Sequence, residues 1–356
     1  MINLGHGANV EDMCKYYKKN SKDIIDFSSN INPYIIDDLE KYLIDGFREC
    51  IKYPDINYTR LKRNIASYLD IESSYIIPGN GATEIIYLLM KSIKKRLALL
   101  NPTFSEYERS AKIAGLDTIN LYLDKDNDFK IDIENIKENI DKFDSLFICN
   151  PSNPIGKVYE LNNLIKLLNE HKKLLIVDET FMEFVEREEE YSLVNLVKRN
   201  KNIFIIKAAT KFFGMPGLRL GYGVCSDKEL LENMYNLKEP WSINSFADNL
   251  SNYIFKNKDY IKSSKDFYIK ERKFMVESLK KISSIKVFET DTNFILIKLK
   301  NKKSYELKEE IFIKGNILIR DASNFRNLDD SYIRIAIKSH DENIKILKIL
   351  NKILGE

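Results

Sequence analysis

Short apolar segments that alternate with helical segments constrain the fold of this chain more than any other feature. Each is followed by a loop rich in Gly, Pro, Asn or Asp. Apolar runs without period-two alternation are typical of strands that are buried on both faces. Their alternation with helices predicts an α/β fold with a mostly parallel sheet between helices. The four clearest runs are residues 97–100, 146–149, 174–177 and 202–206.

Residues that follow these strands predict a ligand site. Ligands of such sheets bind beyond the carboxyl ends of the strands. The loop at residues 79–84 opens a helix, so its N–H groups and the helix dipole can bind an anion such as phosphate. Phe104 can stack on a flat ring, and Asn153 can direct its amide inward. The alternatives are an ordinary tight turn for the loop and core packing for Phe104.

A carboxylate and a lysine follow two of the apolar runs. Asp178 ends the third run, where a buried carboxylate is costly unless it meets a cation such as a protonated ring nitrogen. Lys211 lies just past the fourth run, and Arg219 comes eight residues later. A lysine there can form a Schiff base with an aldehyde cofactor whose phosphate the arginine binds. The alternative for Lys211 is a solvated surface charge, because the chain has 56 Lys and Arg residues.

Composition narrows the classes of function. The chain has 356 residues, 44% of them hydrophobic, which is enough for a large domain, placed at residues 46–250, and a smaller one at residues 1–45 and 251–356. The net charge of +3, with both signs interspersed, gives no indication of nucleic-acid binding. Four cysteines without metal-ligand spacing predict no metal site and a reduced, cytoplasmic protein. Neither a leader nor an apolar run of about 18 residues is evident, so no membrane partner is expected.

The terminal parts predict a smaller mixed domain. Arg320 and Arg334 alternate with apolar residues in two strands, which fits solvent exposure or a pair of clamps for oxyanions. His6 lies in a Gly-flanked loop and Asn32 in a turn, and each is compatible with ligand contact or with an ordinary turn. One long helix is expected at residues 248–283. The strands of this domain are predicted at residues 286–289, 293–299, 317–321 and 332–337.

Five motifs in a fixed order resemble those of fold-type I pyridoxal 5'-phosphate (PLP) enzymes. The resemblance covers almost the whole chain and implies a PLP-dependent transferase fold, with a large domain around a mostly parallel sheet plus a smaller α+β domain. The motifs are Gly-Asn-Gly-Ala-Thr-Glu at residues 79–84, Asn-Pro-Ser-Asn-Pro at 150–154, Asp-Glu-x-Phe at 178–181, Thr-Lys-Phe-Phe-Gly at 210–214 and Gly-Leu-Arg-Leu-Gly-Tyr at 217–222.

The resemblance implies roles for individual residues. Two would be catalytic: Lys211 would hold PLP as a Schiff base, and Asp178 would pair with the ring nitrogen. Asn153 would hydrogen-bond the ring hydroxyl, and Phe104 would stack on the ring. Tyr53 would reach the cofactor phosphate from a partner subunit, which implies a homodimer. The other phosphate contacts would be the amides of Gly81 and Ala82, with Thr210 and Arg219.

The resemblance also implies which residues would bind the substrate. Arg334 would hold the substrate carboxylate. Arg320, His6 and Asn32 are the candidates for the substrate phosphate or its neighbourhood.

The chain departs from the family pattern at four positions. Ala208 stands where a Ser or Thr usually contacts the cofactor phosphate, so one hydroxyl contact is missing. Phe181 stands where many aminotransferases have a Tyr on the ring hydroxyl, which fits a decarboxylase. Ile155 replaces a usual Thr, and Ala8 replaces a usual Gly in the substrate loop.

Two subfamilies are similar to this chain, the histidinol-phosphate aminotransferases and the threonine-phosphate decarboxylases of cobalamin biosynthesis. The resemblance favours PLP-dependent decarboxylation of L-threonine O-3-phosphate to (R)-1-aminopropan-2-yl phosphate and CO2. The alternative is a histidinol-phosphate aminotransferase or a related class I/II aminotransferase. A PLP-binding regulator would need a basic DNA-binding module, for which length and charge leave no room. The segments that resemble the decarboxylases more are residues 6–7, 26–33, 102–109, 241–244 and 319–326.

Overall fold

Thirteen α-helices and thirteen strands occupy the part of the chain that this computed structural model describes, namely residue 7 and residues 9–355. None of these helices combines the length and the apolar content that crossing a membrane requires. The helices are α1 Val10–Tyr17, α2 Leu39–Glu49, α3 Thr59–Leu69, α4 Gly81–Ser92, α5 Ser105–Ile113, α6 Ile133–Glu138, α7 Asn162–Glu170, α8 Glu188–Tyr191, α9 Lys228–Leu237, α10 Ser245–Ile254, α11 Lys258–Leu279, α12 Ser304–Gly315 and α13 His340–Leu354. The strands are β1 Ile25–Asp26, β2 Ile76–Asn80, β3 Arg96–Asn101, β4 Asp117–Tyr122, β5 Ser145–Cys149, β6 Leu174–Asp178, β7 Ile203–Ala208, β8 Leu220–Val224, β9 Ile285–Val287, β10 Phe294–Leu299, β11 Ile317–Leu318, β12 Arg320–Asp321 and β13 Tyr332–Ala336.

A seven-stranded sheet forms the centre of the fold. Its order is β2-β8-β7-β6-β5-β3-β4, and only β8 runs antiparallel to its neighbours. Successive side chains of a strand face opposite sides, so the apolar runs serve two cores at once. In β5, for example, Leu146 and Ile148 join the core that α3 and α7 cover, whereas Phe147 joins the core under α4, α5 and α9. The prediction of a mostly parallel sheet between helices is confirmed.

Two smaller sheets bring the N-terminal and C-terminal parts together. One is antiparallel, in the order β12-β13-β10-β9, and the other pairs β1 with β11 in parallel. The chain leaving β1 stays beside β13, because the Ala336 N–H donates to the Phe27 carbonyl at 2.9 Å. This pairing carries residues 28–30 towards the edge of the large sheet where β6 and β7 end. The division into two domains remains a prediction.

Two local predictions were wrong, and one strand was missed. The helix expected at residues 248–283 is two helices, because the Asn257 side chain accepts the Tyr260 N–H at 3.0 Å and starts α11 anew. The strand expected at residues 317–321 is split between two sheets, with Ile319 between β11 and β12. Edge strand β4 was not predicted, since its half-buried sequence lacks an apolar run.

Candidate active site

A cavity of about 310 Å³ opens where β6 and β7 end, between the large sheet and the C-terminal strands. Its walls come from distant parts of the sequence. The fold brings these parts together at one edge of the sheet, where residues that follow the parallel strands were expected to meet. Nine of the predicted site residues line it: Ala82, Phe104, Asn153, Asp178, Thr210, Lys211, Arg219, Arg320 and Arg334.

Asp178 is a buried carboxylate at the end of β6. Tyr107 donates its hydroxyl to Oδ2 at 2.6 Å, and the Thr180 N–H donates to Oδ1 at 2.8 Å. Burial raises the pKa of Asp178, although these hydrogen bonds oppose the rise. No lysine or arginine of the described chain forms an ion pair with this carboxylate, so a cation in the cavity would be a favourable partner.

Lys211 lies half-buried just past β7, at the wall of the cavity. Burial, together with the charges of Arg334 and Arg219, lowers its pKa to about 8. Asp26 and Asp178 act in the opposite sense and do not compensate. A substantial fraction of its amine is therefore neutral near physiological pH, which is the state that attacks an aldehyde.

The loop before α4 and Arg219 form an anion site. Gly81 has φ of +76°, and a Cβ there would lie 2.4 Å from Nη2 of Arg219, so a side chain at this position would displace the guanidinium. Arg219 itself is in the left-handed region, with φ of +57°. Ala82 lies beside it in the first turn of α4, where backbone N–H groups are unpaired, and Thr210 is buried at the same cavity.

Arg334 is the most deeply buried cation of the cavity, with 6% of its surface exposed. It donates from Nη1 to the Asn153 side-chain oxygen at 2.5 Å and from Nη2 to the Ser28 carbonyl at 2.8 Å. Its Nε is buried without a partner among the described residues. Burial and the nearby charge of Arg320 lower its pKa to about 9. An unpaired donor on a cation without a carboxylate partner fits an anionic ligand.

Arg320 stands on the same side of the cavity, half-buried on β12. Its Nη2 donates to the Asn324 side-chain oxygen at 2.7 Å, and its guanidinium lies 5.4 Å from the centre of the Phe325 ring. Burial lowers its pKa. Both arginines therefore line the cavity, whereas the alternative interpretation had placed them in solvent.

Aromatic side chains flank the space between these groups. Phe104 is half-buried and meets Tyr107 edge to face at a centroid distance of 5.7 Å. Phe181 is buried at the cavity wall and meets Phe294 edge to face at 5.0 Å. A planar ligand ring could lie against Phe104 without displacing the Tyr107 hydroxyl from Asp178.

Three predicted site residues are absent from the cavity wall, and a fourth falls outside the described residues. Asn32 is buried elsewhere, because its amide donates to the Phe212 carbonyl at 2.9 Å and to Tyr260 at 3.0 Å; this candidate is corrected to a structural residue. Tyr53 is 81% exposed and contacts Trp241 at a centroid distance of 4.8 Å. Gly81 lies behind Ala82, against Arg219. His6, like Ala8, lies outside the described residues.

Sequence reasoning missed several residues of the cavity, among them Tyr107, Ser28 and Thr180. Tyr107 supports Asp178 through its hydroxyl, and its position on α5, three residues after the N-cap Phe104, was the available signal. Ser28 contributes a backbone carbonyl, for which the residue type gives no signal. Thr180 contributes a backbone N–H and a buried hydroxyl near Asp178 that makes no regular hydrogen bond.

Comparisons with known proteins agree with this geometry. A family model described as aminotransferase class I and II matches residues 22–349. A provisionally named threonine-phosphate decarboxylase from Caldanaerobacter subterraneus subsp. tengcongensis is 38% identical, over 99% of this chain and 94% of that protein.

Two crystal structures are similar over nearly the whole fold. The histidinol-phosphate aminotransferase from Clostridium acetobutylicum is 38% identical with a TM-score of 0.89, covering 93% of this chain and 99% of that one. The L-threonine-O-3-phosphate decarboxylase from Porphyromonas gingivalis is 26% identical with a TM-score of 0.83, covering 94% of this chain and 100% of that one. The two names describe different reactions, so overall similarity does not choose between them.

Proposed function

This chain belongs to the aminotransferase class I and II family, and from that premise we propose that it decarboxylates L-threonine O-3-phosphate, giving (R)-1-aminopropan-2-yl phosphate and CO2. The family is PLP-dependent, so the chain is a PLP-dependent enzyme. The observation that carries the proposal is the pair of cations on one side of the cavity, Arg334 and Arg320. Threonine phosphate has a carboxylate for one and a phosphate for the other, whereas histidinol phosphate has no carboxylate.

The residues at the cavity fit PLP. Asp178, a buried carboxylate without an ion pair in the described chain, would hold the ring nitrogen, and Lys211 would bond the aldehyde carbon. The first turn of α4 and Arg219 would hold the phosphate, with room left by the glycine at position 81. Asn153 would hydrogen-bond the ring hydroxyl on the side opposite to its bond with Arg334.

Bound PLP supplies an electron sink for the pair released when a bond to the substrate Cα breaks. The chain's own residues decide which bond that is. The Arg334 guanidinium is fixed by Asn153 and the Ser28 carbonyl, so a carboxylate that it binds has one orientation. Arg320 would hold the phosphate end. Two fixed ends leave the substrate little freedom to rotate, which is how positioning selects the reacting bond.

Asp178 and Lys211 are suited to hold or transfer the protons of the proposed reaction. The hydrogen bonds from Tyr107 and Thr180 oppose the effect of burial on Asp178, so its carboxylate can hold a proton at the ring nitrogen. The pKa of Lys211 is about 8, so Nζ can carry a proton or release it near neutral pH. Lys211 is therefore suited to return the proton to Cα after CO2 has left.

A homodimer is part of the proposal. Leu43, Ile44, Phe47 and Ile51 form an exposed apolar surface on and just after α2, and Tyr53 continues it. An exposed apolar surface of this kind marks a protein interface. Tyr53 would then be able to reach the cofactor phosphate of a second copy of this chain.

The test compares two reactions of the holoenzyme. CO2 release from L-threonine O-3-phosphate, with no glutamate formed from histidinol phosphate and 2-oxoglutarate, supports the decarboxylase. The Lys211→Met variant should be inactive in both assays. A role in cobalamin biosynthesis would follow from the product.

The second candidate is a histidinol-phosphate aminotransferase, which the similarity to the Clostridium acetobutylicum enzyme favours. Lys211 would then move the Cα proton, and the arginines would hold the phosphate or the keto-acid co-substrate. Glutamate formation without CO2 release would establish this function and refute the decarboxylase.

A further inference from the structure

An ion pair joins α5 to a loop that contributes residues to the cavity wall. Glu108 lies on α5, which packs on the large sheet, and Arg326 lies in the rim loop, defined here as residues 322–331 between β12 and β13. Nε of Arg326 is 3.0 Å from Oε2 of Glu108, and Nη2 is 2.7 Å from Oε1. This two-pronged geometry gives more directional restraint than a single contact does.

The rim loop carries two residues that line the cavity, Asn324 and Phe325. Both contact Arg320, the first through a hydrogen bond of 2.7 Å and the second through its ring. The loop is also tied to the large sheet by Asn327, whose amide donates to the Leu123 carbonyl at 3.4 Å. Displacement of the loop would therefore change where the Arg320 guanidinium points.

The pair is partly shielded from water. The Glu108 side chain is 19% exposed and that of Arg326 is 46% exposed. Burial alone would raise the pKa of Glu108, but Lys112 and Arg326 outweigh it and lower the pKa overall. Lys112 contacts the same carboxylate at 2.9 Å from the next turn of α5, so this contact does not link α5 to the rim loop.

We propose that the Glu108–Arg326 pair holds the rim loop across the cavity mouth and thereby positions Arg320 for the phosphate of the substrate. Both residues are positioning residues, since neither lines the cavity. The proposal rests on the proposed function only in that the substrate is phosphorylated, which holds for both candidate reactions.

The test measures phosphate affinity directly in the holoenzyme, whose PLP fills the cofactor phosphate site. Calorimetry gives the Kd of inorganic phosphate and of L-threonine for wild type, Glu108→Gln, Arg326→Gln and the double variant. We expect the Kd of phosphate to rise about threefold to tenfold in each single variant and no further in the double variant, because either change breaks the same link. The Kd of L-threonine should stay unchanged, and Arg326→Lys should fall between wild type and Arg326→Gln.

Lys112→Gln is the matched control, because it removes a cation from the same carboxylate without touching the rim loop. It should leave the Kd of phosphate at the wild-type value. Equal losses for phosphate and L-threonine, or the same loss in Lys112→Gln, would overturn the proposal. Thermal unfolding of each variant checks that the fold is retained. Because no turnover is measured, a failed decarboxylase assay leaves this result unaffected.

Discussion

Replacing Lys211 by Met should stabilise the apoprotein, although it abolishes the reaction. Lys211 is half-buried between Arg334 and Arg219, and its charge is unfavourable there. A pKa lowered from 10.5 to about 8 corresponds to a cost of up to about 3 kcal/mol near pH 7. Met has a similar volume and carries no charge, so the variant avoids this cost and leaves the packing nearly unchanged.

The stability advantage of Lys211→Met over wild type should decrease as the pH rises. Between the folded pKa of about 8 and the unfolded value of 10.5, the unfolded chain binds more protons than the native chain. The stability of wild type therefore rises with pH in this range. Near pH 9.5 the advantage of Lys211→Met falls to about 1 kcal/mol, because the native lysine is then mostly neutral.

Urea unfolding of the apoprotein near pH 7 and near pH 9.5 measures both quantities. Lys207→Met is the matched control, four residues earlier on β7. Burial would lower the pKa of Lys207, but Glu183 and Glu179, at 3.0 and 3.4 Å, outweigh it and raise the pKa. Replacing Lys207 by Met should lower the free energy of unfolding by about 3–5 kcal/mol, because two buried carboxylates lose their partner. A Lys211→Met variant that is no more stable than wild type near pH 7 would refute the reasoning.

Three further predictions follow from the site and the exposed surface. Asp178→Asn should lower turnover by at least about a hundredfold, measured as CO2 release at saturating PLP, since it removes the charge that would hold the ring nitrogen protonated. Tyr107→Phe removes the 2.6 Å hydrogen bond to Asp178 and should weaken PLP binding about tenfold in a fluorescence titration, whereas unchanged affinity would contradict its supporting role. Phe47→Glu should give a monomer in light scattering, whereas Tyr305→Glu, on another exposed aromatic in α12, should leave the mass unchanged.

The strand-end residues could be predicted because buried runs have few alternatives. A run such as residues 174–177, set between helical segments, favours a strand in the interior of a sheet, so the residue after it is expected at a strand end. Once the strands are parallel, Asp178 and Lys211 necessarily lie at one edge. The topology therefore determines which edge of the sheet carries the candidate active site, and the residue types indicate its chemistry.

The substrate side was less predictable, because it depends on contacts between distant parts of the chain. Asn32 and Asn153 are both asparagines in Pro-containing turns, yet one amide is used to pack α11 and the other binds Arg334. The orientation of a side chain in a turn depends on neighbours that sequence spacing does not give. The same holds for Ser28, which acts through its backbone, and for Arg320, whose direction depends on the rim loop.

Lys207 and three charged residues of the cavity differ in the direction of their pKa shifts. Lys207 has carboxylates beside it, and its pKa is raised, as expected for a structural ion pair. Asp178, Lys211 and Arg334 have pKa values moved towards their neutral forms, mainly by burial. These three lack ion pairs in the described chain, and under the proposed function they would meet the ring nitrogen of PLP, its aldehyde carbon and the substrate carboxylate, respectively. Under the proposed function, ligand binding would offset the free-energy cost of these charges in the apoprotein.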